Sequence, residues 1–404
     1  MSRLRIVEWR AAVAAGIAIG SAVLLAACGG GGGDAAPSIG TATPQAATTY
    51  TQGVISGFGS IIVGGVHFDD SLAVVRDDDG NSRNRSELKL GMMVEVDAGN
   101  VNRVAGSAQA MQIRWGSEIV GPVGAIDTDA STVKVLGQTV LVTTSTIFDD
   151  SLAGGLTALA PGRVVEVHGI LDPANGRVVA TRIEVEDAAV AYKLRGAIAN
   201  LDTATKTFTI NGELVSYAGL PAGLVPPSLS NGQVVRVLLQ TTQVGRAWVA
   251  TALRGGLRLP EAVHREAHVE GVITVFTSTA SFQLNGLLVD ASQASFPDGT
   301  AGIGLGARVE VEGTVNSGVL VASKVEIEER RTMGHRPLEL RGELGNLNAN
   351  DKTFALRGVT VWYGSAVVYR DGTESTLANG KRVEVQGVLS GDRTRLEARR
   401  IEFK

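Results

Sequence analysis

Beyond Tyr50 the chain alternates hydrophobic and polar residues with a period of two over short runs separated by Gly, Asn and Asp. That period predicts strands and tight turns rather than helices. In TFTINGELVSY (207–217) two such runs flank Asn211-Gly212, a pair that tolerates the positive φ values of a type I′ turn, so the segment reads as a hairpin. In VVEVHG (164–169) Val165 and Val167 share one face, and Glu166 and His168 the other. In ATRIEVE (180–186) Ile183 and Val185 lie opposite Arg182 and Glu184. If these strands pair, Glu166 and Arg182 are expected to face solvent together, as are Glu310 with Lys324 and Glu384 with Arg400. Such cross-strand pairs are worth about 0.2–1 kcal/mol. Repeat 3 has Arg236 and Ala252 at these places, which argues against an essential catalytic dyad.

The same marks return five times. A Gly inside an opening strand recurs at Gly53, Gly121, Gly196, Gly271 and Gly342, at intervals of 68, 75, 75 and 71 residues. A second Gly precedes a short alternating strand at Gly91, Gly162, Gly232, Gly306 and Gly380, and units close on runs such as ASKVEIE (322–328) and ARRIEFK (398–404). A fixed period of this kind is the signature of an array. Between the third and fourth strands lies a looser stretch, such as SLAGGLTALAPG (151–162), long enough for one helical turn. About five strands with one interruption is the pattern of a small closed barrel of OB type, and closure removes edges that invite pairing between molecules. The expected fold is therefore all-β, a tandem array of five OB-like five-stranded β-barrels at 51–114, 115–187, 188–260, 261–328 and 329–404.

The first 50 residues break the pattern. Arg3, Arg5 and Arg10 precede the uncharged AAVAAGIAIGSAVLLAA (11–27), the order of a bacterial export signal. Its apolar run falls short of the roughly 20 residues that span a bilayer. Leu25, Ala26, Ala27 and Cys28 spell LAAC, which resembles the lipobox of bacterial lipoproteins. The resemblance implies cleavage before Cys28, with a diacylglyceryl thioether and an N-acyl chain on that residue. Two or three acyl chains anchor firmly where one binds only marginally. Residues 1–27 are thus expected to be a lipoprotein signal peptide and 28–50 a flexible Gly/Ala/Thr tether, whose first twenty-odd residues reach roughly 25 Å. Gly29 rather than Asp after the Cys implies, by the same resemblance, the outer membrane, with the leaflet left open.

Composition supports several small β units over one large enzyme core, because 4% aromatic residues supply few large anchors while 51 Gly supply many turns. A single Cys excludes a disulfide scaffold. The GFGSIIVGGVHFDDS opening (57–71), the Gly-to-VEV step and the A-x-[RK]-[IV]-E ending together resemble a domain-of-unknown-function family (number 5666) found in tandem in proteobacterial lipoproteins. The resemblance spans nearly all of 51–404, with repeat 3 departing at both charged positions. It implies the architecture and no activity.

Candidate chemistry is sparse. No GxSxG elbow, P-loop or HExxH motif occurs, and none of the five His recurs at an equivalent repeat position. An enzyme is not expected, and no catalytic, cofactor or metal residue is assigned. His264 and His268 in EAVHREAH stand four apart, so a helical turn would bring both imidazoles near Glu261, but a zinc site needs three or four ligands and the segment reads as a solvated linker. Asp77, Asp79 and Asn81 resemble the start of a calcium loop. Ser82 stands where that loop needs Gly and Leu88 where it needs Glu, so a polar hairpin tip is the reading. FDDSL occurs at 68–72 and 148–152, with Phe read as a core anchor and the two Asp as a turn; a carboxylate site for a cation or sugar is the sharper alternative, weakened by the few aromatics.

Charge is divided unevenly. Net values are minus two for 51–114, minus six for 115–187, plus five for 192–260, minus six for 261–328 and plus four for 329–404. Adjacent units from repeat 2 onward are expected to attract, in an array that loosens as salt screens the contacts. The functional expectation is an envelope lipoprotein acting as a binding or structural module, with the bilayer and an envelope protein as partners and no specific small molecule. The alternative is a binder of nucleic acid or another anionic polymer through repeats 3 and 5, where Arg254, Arg258, Arg330, Arg331, Arg336, Arg399 and Arg400 cluster.

Overall fold

The computed structural model describes residues 49–172, 175–256, 264–327 and 338–404; the leader, most of the tether, Cys28, Arg258, Glu261, Arg330, Arg331 and Arg336 lie outside them. Barrel 1 comprises β1 (Thr49–Phe58), β2 (Ile61–Val63), β3 (Val66–Asp69), β4 (Val74–Asp77), β5 (Met93–Ala98) and β6 (Ser107–Trp115). Barrel 2 comprises β7 (Ile119–Asp127), β8 (Thr132–Val135), β9 (Gln138–Phe148), β10 (Val164–Asp172) and β11 (Arg177–Val185). Barrel 3 follows with β12 (Tyr192–Ala197), β13 (Ala199–Asp202), β14 (Thr207–Ile210), β15 (Glu213–Ser216), β16 (Val234–Val244) and β17 (Ala247–Gly255). Barrel 4 has β18 (His264–Ser278), β19 (Ser281–Leu284), β20 (Leu287–Asp290), β21 (Arg308–Asn316) and β22 (Val319–Ile327). Barrel 5 has β23 (Leu338–Asn348), β24 (Thr353–Leu356), β25 (Val359–Trp362), β26 (Val368–Arg370), β27 (Arg382–Leu389) and β28 (Leu396–Phe403).

In barrel 2, β7 pairs antiparallel with β8 and β10, β8 with β9, and β10 with β11, while β11 runs parallel to β9. The ring therefore returns to its first strand with OB connectivity. Among the described residues the other four groups close the same way. Barrels 1 and 5 divide their third strand into two pieces, both parallel to the last strand, and barrel 3 divides its first strand at Ile198.

The repeated glycines are what this closure demands. Gly53, Gly121, Gly196, Gly271 and Gly342 each lie opposite a Val on the fourth strand of the ring. There the first strand bends under the second: a Cβ at Gly121 would stand 2.8 Å from Cβ of Leu136, and one at Gly196 2.4 Å from Cγ2 of Ile210. Two residues on, Ile55, Val123, Ile198, Ile273 and Leu344 accept through their carbonyl oxygens from the N–H of Gly91, Gly162, Gly232, Gly306 and Gly380. The second set has φ between +80° and +86°, the left-handed region where a side chain costs about 1–2 kcal/mol. The hairpins between the second and third strands of each ring, Asn211-Gly212 among them, have positive φ at both turn positions, as type I′ turns require.

One fully buried Phe anchors each ring: Phe68, Phe148, Phe208, Phe282 and Phe354. The looser stretch of repeat 2 forms two 3₁₀ turns, Asp150–Leu152 and Gly155–Ala158, rather than one helical turn. EAVHREAH is corrected as well, because β18 begins at His264 and places both His on a strand.

The rings share sheets out of chain order. Thr49–Gln52 of β1 runs parallel to Glu266–Val269 of β18, and Gly57–Phe58 of β1 runs parallel to Glu339–Leu340 of β23. Strand β7 pairs antiparallel with β12. Tyr50 of barrel 1 is buried in the core of barrel 4, and Met93, Ile170 and Val272 form a small apolar cluster from barrels 1, 2 and 4.

Candidate functional site

Alternation along three neighbouring strands sets Arg195 opposite Arg236 and Arg236 opposite Arg254 on the outside of barrel 3. Directly opposed like charges repel. Barrel 1 supplies the counter-charge through the tip after β4, where Asp77 accepts from the backbone N–H of Asp79 and Asn81 and from the Arg83 side chain. This fixes the tip as a polar hairpin and turns the next two carboxylates outward. Asp78 receives Arg195 at 2.7 Å, Arg236 at 2.5 Å and Lys193 at 3.3 Å, while Asp79 receives Arg236 at 2.7 Å.

In barrels 2, 4 and 5 the same positions hold opposed acids, Glu166 with Glu184, Glu310 with Glu326 and Glu384 with Glu402. Basic groups sit beside rather than across from them. Arg400 reaches Glu384 at 3.4 Å, as the sequence leads one to expect, but Lys324 pairs with Glu312 and lies 3.4 Å from Glu326, not with Glu310. The expectation for Glu166 and Arg182 is corrected: Arg182 is opposite His168 and 3.3 Å from Glu184, and it donates to the Leu90 carbonyl of barrel 1. Arg182 and Glu184 point away from the barrel core yet are buried, because barrel 1 covers them. Lys89 of barrel 1 completes the contact on Oε2 of Glu184. Burial alone would raise the Glu184 carboxyl, but His168, Arg182 and Lys89 outweigh it and hold that group well below the carboxylate range.

Beside this contact His168 is fully buried, with Nε2 3.3 Å from Oε1 of Glu184 and 3.8 Å from Oε1 of Glu166. Neither ring nitrogen makes a hydrogen bond. A second cluster, His268, Glu310 and Glu312, lies at the barrel 1 and barrel 4 contact, where Arg103 also reaches Glu266. Sequence reasoning placed Glu166 and His168 on one face but missed their meeting with Glu184; the register of VVEVHG on ATRIEVE was the available signal.

Residues of barrels 1, 2, 3 and 4 together line a half-open cavity of about 480 Å³. Met93, Ile170, Leu171 and Val275 give it apolar walls, and Gln52 and Asn285, hydrogen-bonded to each other at 3.2 Å, give it an amide edge. The buried Arg195 and Glu118 pair, 3.2 Å apart, is part of its lining. The sequence offered no sign of it, because its walls come from four repeats.

The remaining sequence candidates are structural. Phe68 and Phe148 are core anchors, and Asp69 and Asp149 accept from the N–H of Ser71 and Ser151 in tight turns. Asp150 contacts Thr360 of barrel 5, and burial raises its carboxyl.

Ring closure and outward ionic rows define the class, a tandem OB-barrel protein. Residues 120–184, 270–326 and 342–402 match the family described as Domain of unknown function (DUF5666), so that domain recurs in tandem in barrels 2, 4 and 5. Among curated proteins no match was found. A solved structure titled drosophila Unr CSD456 is similar at 14% identity over 42% of this chain and 78% of that one, with a TM-score of 0.16. That superposition is slight, and the fold assignment stands on the strand pairings.

Proposed function

We propose that the chain is a lipid-anchored, non-enzymatic binding module of the bacterial cell envelope, with the four-barrel cavity as its binding site. The cavity carries the reading: its volume falls within the range of small-molecule sites, and a few convergent polar groups edge a mainly apolar wall. An apolar or amphipathic ligand suits that lining. The LAAC sequence at Cys28 supports the anchor, and Gly29 supports the outer membrane. In cell fractionation Cys28→Ser is expected to move the protein out of the membrane fraction, and retention after a high-salt wash would defeat the anchor. For the cavity, the apolar dye 1-N-phenylnaphthylamine should bind saturably to the full chain and lose most of its affinity in Val275→Trp, whose larger ring intrudes on the apolar wall. Equal binding by that variant would remove the cavity from the reading.

A second reading, binding of an anionic polymer, is narrowed by the structure. Barrel 3 turns Arg195 and Arg236 onto Asp78 and Asp79, whereas barrel 5 leaves Arg341, Arg357 and Arg399 exposed and sets Arg395 over the Trp362 ring at 5.1 Å. Joint Arg341→Glu and Arg357→Glu substitution should lower retention on heparin; unchanged retention would dismiss barrel 5 as a polymer surface.

A further inference from the structure

We propose that Glu166, His168 and Glu184 form a three-ligand site for a divalent cation of the zinc class on the outer face of barrel 2. Zinc binds His nitrogen and carboxylate oxygen at about 2.0–2.1 Å, so two ligands of a tetrahedral ion stand about 3.3 Å apart. Nε2 of His168 lies 3.3 Å from Oε1 of Glu184 and 3.8 Å from Oε1 of Glu166, and the three ligand atoms lie within 4.8 Å of one another. Small rotations of the Glu166 side chain, which is 14% exposed, bring its oxygen to tetrahedral spacing.

Two further observations separate this cluster from an ordinary ion pair. His168 is 0% exposed, and neither of its nitrogens makes a hydrogen bond although Oε1 of Glu184 is near enough, so the Nε2 bonding direction misses that oxygen. A buried, unpartnered nitrogen within 3.8 Å of two carboxylates is placed for an ion shared by all three. The other oxygen of Glu184 is held by Lys89 and Arg182. Those contacts fix the carboxylate as a one-oxygen ligand and supply the outer-shell bonding that metal-bound carboxylates have. The fourth position is left to water. Trp115, with its ring centroid 5.8 Å from that of His168, packs against the imidazole.

The His268 cluster is the weaker candidate, because Lys324 already pairs with Glu312 and His268 is partly open to solvent. The Glu166 site requires neither the cavity nor the anchor of the proposed function. It departs from the sequence expectation of no metal.

The test is calorimetric titration of the chelator-treated full chain, its thiol blocked by alkylation where free, with zinc sulfate, together with the visible spectrum of the cobalt(II) form. One saturable site and the intense bands of four-coordinate cobalt are expected. Losing a ligand should weaken binding by more than the roughly 10–100-fold known for outer-shell partners, in Glu166→Gln and in His168→Ala. Should His168→Ala fail to fold, Glu166→Gln decides the matter, since of the three ligands Lys89 and Arg182 contact only Glu184. His268→Ala should leave this binding unchanged. Absence of saturable heat and of cobalt bands, or full affinity in Glu166→Gln, would overturn the proposal.

Discussion

Glu184 illustrates at residue scale why an outward side chain is not always a solvated one. Its carboxyl is depressed in the folded chain relative to the unfolded value of 4.5, against the upward push of burial, by His168, Arg182 and Lys89. A depressed acid contributes stability that is fully present above its unfolded value and is lost as pH falls through the folded value. Glu184→Gln is therefore expected to destabilise barrel 2 by about 3 kcal/mol at neutral pH, the scale for breaking a buried ion pair. The deficit should shrink progressively below pH 4.5, where the unfolded acid takes up its proton, and vanish only once the folded acid does so too. Hydrogen exchange of the β10 and β11 amides, in chelator, isolates this ring from the others; a deficit that persists at low pH would show that the charge is not the cause. The alternation of VVEVHG made the direction of Glu166 and His168 legible, and Phe68, Phe148 and the Asp turns followed from residue type. What hid Glu184 and Arg182 was the covering barrel, which no local pattern reports.

At the scale of elements the sequence was most legible, because each recurring mark answers one steric requirement of the ring. The two kinds of glycine do so differently. Gly162 has φ of +86° and open space around a Cβ, so its requirement is conformational, whereas Gly121 has no positive φ and its requirement is space beside Leu136. Gly162→Ala should cost about 1–2 kcal/mol, and Gly162→Asn less, because Asn tolerates the left-handed region. At Gly121 the order should reverse: Ala costs about 1–3 kcal/mol by overpacking, and the larger Asn costs more. Thermal unfolding of the four variants checks the crossover, and Asn proving no better than Ala at Gly162 would refute the conformational account. Strand breaks were less legible. FDDSLAV reads as one turn, yet it splits the third strand of barrel 1 into β3 and β4, both held by β6, so the division depends on a partner about 40 residues away.

For the whole molecule, charge by repeat was legible and its consequence was not. The expectation joined neighbours in the chain and let salt loosen them. Barrel 1 instead meets barrels 2, 3 and 4 through Lys89, Asp78 with Asp79, and Arg103, and it shares sheets with barrels 4 and 5. The central pairs are shielded: Arg195 and Arg236 are 6% and 4% exposed and Asp78 12%. Buried pairs escape most ionic screening, so the radius of gyration from small-angle scattering should hold constant from about 50 mM to about 500 mM salt. Charge reversal is the stronger perturbation, since Arg at positions 78 and 79 would face the Arg195, Arg236 and Arg254 row with only the Glu118 partner of Arg195 left to offset it. Asp78→Arg with Asp79→Arg is expected to enlarge the particle and to expose the barrel 1 and barrel 3 contact to proteolysis. Adding Arg195→Glu and Arg236→Glu should restore the compact dimensions, because the reversed pairs again attract. Constant dimensions in the first variant would mean that shared strands, not these ions, set the assembly, whereas expansion without rescue would assign the loss to misfolding of the tip around Asp77.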